Sequence, residues 1–381
     1  MLEFTIKINS FYNNPVQFIF CFNHPQSLQQ KLMLQDIINK CIIQKSEHIK
    51  FPGFELSKFP INIMKHLDFV KSINLSHNNI SELPFTINGK LNNLRCEYNK
   101  FTKTFLVLNN IKYIDICNNK CECIDFYNNQ TIIGFNCEYN HISSINNLNY
   151  CSSIKLLNCS HNKLINFDGS KTNIIHLNCS NNKFIVLPKI PLSIITLNIT
   201  GNKISGTLDL SCYDKLDHLL CSANKINNLI LGRPIMDILC CSSNKLKYFI
   251  INAIYINTVI CTSNNITEAI IHFGFHNLNL TYNPLNKITF LFDKYKLHQK
   301  KSNNDKLNFI LSSQIEIDPK HLRIVSPYCI AEYLNNIYSP TNTIVIHSAA
   351  YAIQKLWYSY KLKIINKITK KKINTNIIVY L

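Results

Sequence analysis

An asparagine returns along this chain every 19 to 22 residues, as Asn78, Asn99, Asn119, Asn140, Asn162, Asn182, Asn202, Asn224, Asn244, Asn264 and Asn283. Each stands at the same place in an apolar frame. Five residues before it comes Ile73, Leu94, Ile114, Phe135, Leu157, Leu177, Leu197, Leu219, Leu239, Val259 or Leu278, and two after it an apolar residue such as Ile80, Phe101, Ile142, Leu164, Ile204 or Leu285. A period of this length describes a coil that stacks on copies of itself, and it outranks every shorter pattern in the chain. Counting domains by length therefore misleads, because a repeat array is one cooperative structure whose length scales with the number of units.

The residue types follow from the geometry of such a coil. Apolar side chains at positions −5 and −3 relative to the Asn have the period of a strand and point into the stack, while −6, −4, −2 and −1 face solvent. Successive parallel strands stand about 4.8 Å apart, so each inward column becomes a ladder. After the strand the chain turns inward and exposes backbone groups that are costly to bury unpaired. An amide side chain carries donors and an acceptor, so one Asn per coil is expected to bond its own turn and the next. The segments between strands are too short for a full helix, which predicts extended or short helical turns.

Aligned on the Asn, each unit reads L-x-x-L-x-L-x-x-N-x-L, as in Ile111, Ile114, Ile116, Asn119 and Cys121, or Leu216, Leu219, Cys221, Asn224 and Ile226. Over residues 67–290 the chain resembles the leucine-rich-repeat family in eleven units. That resemblance implies an α/β repeat fold: a curved horseshoe solenoid, with parallel strands on the concave face and a mostly irregular or 3-10 convex side. The run Leu187, Pro188, Lys189, Ile190, Pro191, Leu192 is similar to the short, bacterial-type repeats, and Leu83 with Pro84 echoes it. Residues 1–66 are expected to form a mixed cap, with a helical pattern from Leu28 to Ile43 and a degenerate repeat at Phe54, Leu56 and Phe59. Residues 291–381 are expected to form a C-terminal cap or linker followed by a basic amphipathic helix.

Sixteen cysteines would suggest disulfides in a short secreted domain. Their placement argues otherwise. Cys96, Cys137, Cys159, Cys179, Cys221, Cys241 and Cys261 fall at −3, where other coils carry Ile or Leu, so they read as small buried hydrophobes. The run from Pro15 to Phe22 lacks a basic leader, and no apolar stretch reaches the roughly 20 residues of a membrane span. A reduced, cytoplasmic protein is the expectation. The excess of Asn, Ile and Lys is that of an AT-rich genome. The net charge of +18 favours acidic partners, but the lysines concentrate in the tail, which argues against a shaped nucleic-acid groove.

The concave face is where a horseshoe of this kind binds. Early coils offer Arg95, Glu97, Tyr98, Tyr113, Asp115, Glu138 and Tyr139, a charged and aromatic mixture enriched in protein-binding anchors. Later coils place Leu220, Cys240 and Ile260 at −4, with Ile238 beside them. An apolar column on an outward face calls for a cover, either the C-terminal segment or a partner. Near the C-terminus Ile353, Leu356, Trp357, Tyr360, Ile364 and Ile368 share one helical face among lysines. Ala349, Ala350, Ile353, Gln354, Trp357 and Tyr360 resemble the IQ motif, which implies a calmodulin-like partner; Tyr358, Ser359 and Lys363 depart from its usual Arg, Gly and Arg. An anionic membrane surface is the other surface such a helix fits.

Catalytic and cofactor signals are weak. No glycine-rich phosphate loop occurs, and Cys117, Cys121 and Cys123 lack a second pair for a metal. Cys329 invites comparison with the ubiquitin-ligase domains that follow some bacterial repeats, but it lacks their acidic context. The expectation is a non-enzymatic scaffold without cofactor, whose partner is an unidentified protein.

Overall fold

The computed structural model describes residues 2–9, 15–22, 24–59, 67–83, 90–107, 110–127, 129–232, 235–250, 255–272, 275–284, 287–291 and 323–324. It contains two compact units, one formed by Met1–Ser205 with Cys212–Lys225, the other by Gly206–Ser211 with Ile226–Leu381.

The first unit opens with an antiparallel hairpin, Leu2–Asn9 against Pro15–Phe22, and the helix Leu28–Gln44. Ser27 starts the helix with a reciprocal capping box: its Oγ accepts from Gln30 N at 3.2 Å, and the Gln30 side chain accepts from Ser27 N at 3.1 Å. Lys45, in the left-handed region, ends it. Leu34, Ile38 and Cys41 are buried, whereas Leu32 from the same apolar pattern is exposed.

From there the chain builds a parallel ladder. Strands His48–Lys50, Ser72–Asn74, Asn93–Arg95, Tyr113–Asp115, Gly134–Asn136, Leu156–Asn158, His176–Asn178, Thr196–Asn198 and His218–Leu220 pair in register. The middle residue of each is the −5 apolar residue, buried, and its two neighbours face outward. Inward −3 residues, including Cys96, Cys137, Cys159 and Cys179, lie fully buried beside them. The first strand belongs to a coil in which Phe54 occupies the Asn position, so the degenerate repeat begins with His48–Lys50.

The connecting side is extended, and part of it pairs. Thr104–Leu106, Cys123–Asp125 and Ser144–Asn146 form a second small parallel sheet, and Leu148–Tyr150 is a 3-10 turn. Among the described residues the only α-helix is the one in the N-terminal segment, so the coils themselves are strand and turn.

In the second unit Ile235–Cys240, Tyr255–Ile260 and Phe275–Asn279 pair with one another in parallel, and Arg323–Ile324 pairs antiparallel with the last of them. Tyr248–Ile250, Glu268–His272 and Lys287–Leu291 form its connecting-side sheet. No described helix is long and apolar enough to cross a membrane, and no disulfide joins two described cysteines.

The repeating asparagines are buried, and their bonds run in the direction opposite to that expected from sequence. Asn182 Nδ2 donates to Cys179 O at 3.2 Å in its own turn and to Cys159 O at 2.9 Å in the preceding coil; its Oδ1 accepts from Leu164 N at 2.9 Å, also in the preceding coil. The same set recurs at Asn99, Asn119, Asn140, Asn162, Asn202 and Asn224. The link to the next coil is made by the main chain, as in Cys159 N to Asn178 O at 2.8 Å. The side chain therefore ties each turn backward because the forward groups are already committed to the ladder.

The residue just before each Asn is left-handed, a feature the apolar pattern does not reveal. His77, Tyr98, Asn118, Tyr139, His161, Asn181, Ala223, Ser243, Ser263 and Tyr282 all have φ between 51° and 59°, and Gly201 has φ 68°. An L-residue there is strained by about 1–2 kcal/mol. Ala223→Gly is expected to relieve more strain than it adds in unfolded-chain entropy, raising stability by about 0.5 kcal/mol. Urea denaturation checks this; a lowered midpoint contradicts it.

Candidate protein-interaction face

On the outward face of the first unit's ladder runs a depression of about 650 Å³. Its floor is the −4 column: Arg95, Asp115, Asn136, Asn158, Asn178, Asn198 and Leu220, one residue per coil in register. Tyr113, Gly134, Leu156, His176 and Thr196, at −6, line it as well. Tyr113 is 44% exposed, and its ring lies against the backbone of Gly134, where a Cβ would stand 2.8 Å from the ring. Glycine thus lets the aromatic face form one side of the depression.

The amides of the floor are oriented by their own backbone. Asn136, Asn158, Asn178 and Asn198 each accept through Oδ1 from the main-chain N–H two residues on, at 3.0 to 3.2 Å. That fixes the NH₂ group outward. Asn136 donates to both Asp115 carboxylate oxygens at 3.1 Å, and Asn158 to Glu138 Oε2 at 3.1 Å. Among the described residues the Nδ2 groups of Asn178 and Asn198 have no partner.

The sequence-derived surface residues fall into three groups. Arg95, Tyr113 and Asp115 line the depression, as does Leu220 at its far end, where it is half-buried. Position −2 departs from expectation. Glu97 is buried, its side chain 8% exposed and in an ion pair with Arg95, and Ser160 and Ser180 are buried too. Their side chains fold back onto the −4 residue of their own turn, as Ser160 Oγ does to Asn158 Oδ1 at 2.7 Å, so they do not project. Glu138, at the same position, is half-buried.

Tyr98 and Tyr139 stand at the left-handed turn, along the edge of the strand face, each 49% exposed. Tyr98 stacks on His77 at 4.4 Å and 9°, and Tyr139 on His161 at 4.0 Å and 17°. Ile238, Cys240 and Ile260 lie in the second unit, half-buried, with Cys240 opposite Ile260 in register. Ile353, Gln354, Trp357, Tyr360, Ile364 and Cys329 lie outside the described residues.

Burial disfavours the thiolate at several positions of the −3 column. Burial pushes Cys159 up to about 12 and holds Cys96, Cys137 and Cys179 well above the ordinary thiol range. Cys117 is likewise pushed up to about 12, by burial first and then by the Asp115 carboxylate, with Glu97 adding to it. Among the described residues no cluster of three or more His, Cys, Asp or Glu side chains could hold a metal ion.

No family model matches the chain, and no curated protein does. Solved structures do. The leucine-rich effector protein YopM from Yersinia pestis superposes with a TM-score of 0.51 at 16% identity, over 70% of this chain and 86% of that one. The leucine-rich-repeat domain of APL1B superposes at 0.50 and 14% identity, over 70% of this chain and 86% of that one. At such identities the likeness is one of fold, and the fold of this chain is a leucine-rich-repeat-type solenoid.

Proposed function

We propose that the chain is a non-enzymatic scaffold that receives an extended segment of a partner protein along the depression between Arg95 and Leu220. The observation that carries this reading is the graded lining: charged and aromatic at Arg95, Asp115 and Tyr113, amide-rich through Asn178 and Asn198, apolar at Leu220. Oriented NH₂ groups suit main-chain carbonyls, and a volume of about 650 Å³ suits a short peptide stretch.

A photo-cross-linking residue at Asn178 in the full-length protein should form adducts with a partner in cells of the native host. Asn158→Trp, which fills the middle of the depression, should reduce them at least tenfold. Adducts unchanged by that substitution would overturn the reading.

The basic amphipathic pattern at 349–368 supports a separate contact with an acidic, calmodulin-like protein. A peptide covering 345–372 should then shift in a native gel with such a protein; no shift with or without calcium sinks that contact.

A further inference from the structure

The lysines outside the tail are not scattered over the coils. In the frame of the repeating Asn many gather at +1, as Lys100, Lys120, Lys163, Lys183, Lys203, Lys225 and Lys245. Four of them follow one another on consecutive coils of the first unit, and the main chain fixes the column. Lys163 N donates to Ile142 O, Lys183 N to Leu164 O and Lys203 N to Phe184 O, each at 2.8 Å, and Lys225 N donates to Ile204 O at 2.7 Å. Each lysine is thereby tied to the turn of the coil before it. All four side chains are exposed, and none forms an ion pair with a described residue.

Like charges at matching positions of adjacent extended segments repel and destabilise. Little offsets them here. Between Cys159 and Ser205 the chain carries five lysines and a single carboxylate, Asp168, which lies 3.9 Å from Lys189. Glu122 and Glu138 belong to earlier coils, and Glu138 accepts from Asn158. Asp214 and Asp217 precede the strand His218–Leu220, whereas Lys225 follows it.

Beside the lysines lies apolar surface. At +3, Ile165 is 63% and Ile185 61% exposed, and Val186 is 59% exposed. The +2 residues between, Leu164 and Phe184, are fully buried, so lysine and isoleucine share the outward surface of the same turn. Thr102, Glu122, Ser143 and Ser205 hold the +3 position on other coils of this unit, so the aliphatic step is confined to the coils of Asn162 and Asn182. The centre of a protein interface favours aromatic side chains and Arg over Lys, and a single-stranded nucleic acid needs rings to stack on. Within three residues of these four lysines there is no Arg, Tyr or Trp, and Phe184 is buried. Hydrated point charges on long stems, next to bare aliphatic groups, suit a surface whose charge is spread and whose interior is apolar.

We propose that this face of the first unit, Lys163, Lys183, Lys203 and Lys225 with Ile165, Ile185 and Val186, rests on an anionic lipid bilayer. The ammonium groups lie among the lipid phosphates and the three aliphatic side chains at the boundary of headgroups and acyl chains. The contact is peripheral and uses no residue of the depression, so it stands apart from the scaffold reading.

Flotation of the full-length protein with vesicles of phosphatidylcholine containing about 30% phosphatidylserine tests it. Lysines of the tail attract such vesicles as well, so the readout must belong to the face. Lys163→Gln, Lys183→Gln and Lys203→Gln together should weaken binding about a hundredfold, at about fivefold per lysine. Lys45→Gln, Lys50→Gln and Lys112→Gln, which remove the same charge from exposed positions elsewhere, should weaken it only about twofold. Ile165→Thr with Ile185→Thr should weaken it about tenfold at unchanged net charge. In a Trp357→Phe background Val186→Trp supplies the sole indole, whose emission should shift to the blue and be quenched by brominated lipid. Equal loss in the two lysine triples, indifference to the isoleucine pair in a variant that melts normally, or an unquenched indole on bound protein overturns the proposal. So does a first triple that loses binding to an RNA oligonucleotide or a polyglutamate peptide while its vesicle binding persists.

Discussion

Asn182→Asp should cost about 4 kcal/mol of folding stability at neutral pH, the largest loss expected from any single isosteric change in the array. The aspartate keeps the acceptor for Leu164 N but loses the donor that serves Cys159 O, Cys179 O and Ser180 O. A carboxylate then faces three carbonyl oxygens in a buried site. Asn182→Ala, which deletes the bonds without adding charge, should cost less, about 1–3 kcal/mol.

The two variants differ in their pH dependence. The surrounding carbonyls raise the folded-state pKa of the new carboxyl above its unfolded value, so the deficit of the aspartate variant grows as pH rises through and beyond about 4. It shrinks in acid, where a protonated carboxyl can donate to one carbonyl. The alanine deficit has no such slope. Urea denaturation at several pH values distinguishes them, and an aspartate variant as stable as wild type at pH 7 would show that the amide donors hold nothing together.

Alkaline pH should unfold the molecule through its thiol column. In the unfolded chain these cysteines ionise near the ordinary value of 9.0, while in the folded state Cys159 is pushed up to about 12 and Cys96, Cys137 and Cys179 stand well above 9.0, all by burial. Cys241 is also raised, first by its bond with Cys261 and then by burial. Above pH 9 the unfolded state therefore binds fewer protons than the folded one, and stability falls as pH rises. It is intact below the unfolded pKa and declines through the window up to about 12. Because several thiols on successive coils act together, the melting midpoint should drop steeply between pH 9 and 11. Cys159→Val should flatten that slope while changing neutral stability by less than about 1.5 kcal/mol. A midpoint that stays level up to pH 11 would mean that these thiols are hydrated.

Much of this architecture was legible in the sequence because repetition averages out local ambiguity. Eleven asparagines in one frame placed Leu157, Leu177 and Leu197 on a common inward column and put seven cysteines in the core slot, although strands of three residues are too short to identify one at a time. The helix at Leu28–Gln44 was legible for its own reason, the helical spacing of apolar residues from Leu28 to Ile43, while its Ser27–Gln30 capping box came from the structure. The surface was less so. Alternation predicts outward orientation for −2, but not that Glu97 would turn back to Arg95 and become buried. Nor does residue type announce a left-handed turn when the position holds Tyr98, His161 or Ala223, where glycine or asparagine would be the usual sign.

The sequence by itself determined the period, the inward columns and the class of fold, because burial of an apolar set at fixed spacing admits few solutions. Only the tertiary structure decided which way the asparagines bond, which carboxylates are buried, and that Tyr98 stacks on His77 and Tyr139 on His161. The reason is that these are contacts between coils. They depend on how side chains some twenty residues apart meet at the strand spacing, and on turn dihedrals that a pattern of hydrophobicity does not encode.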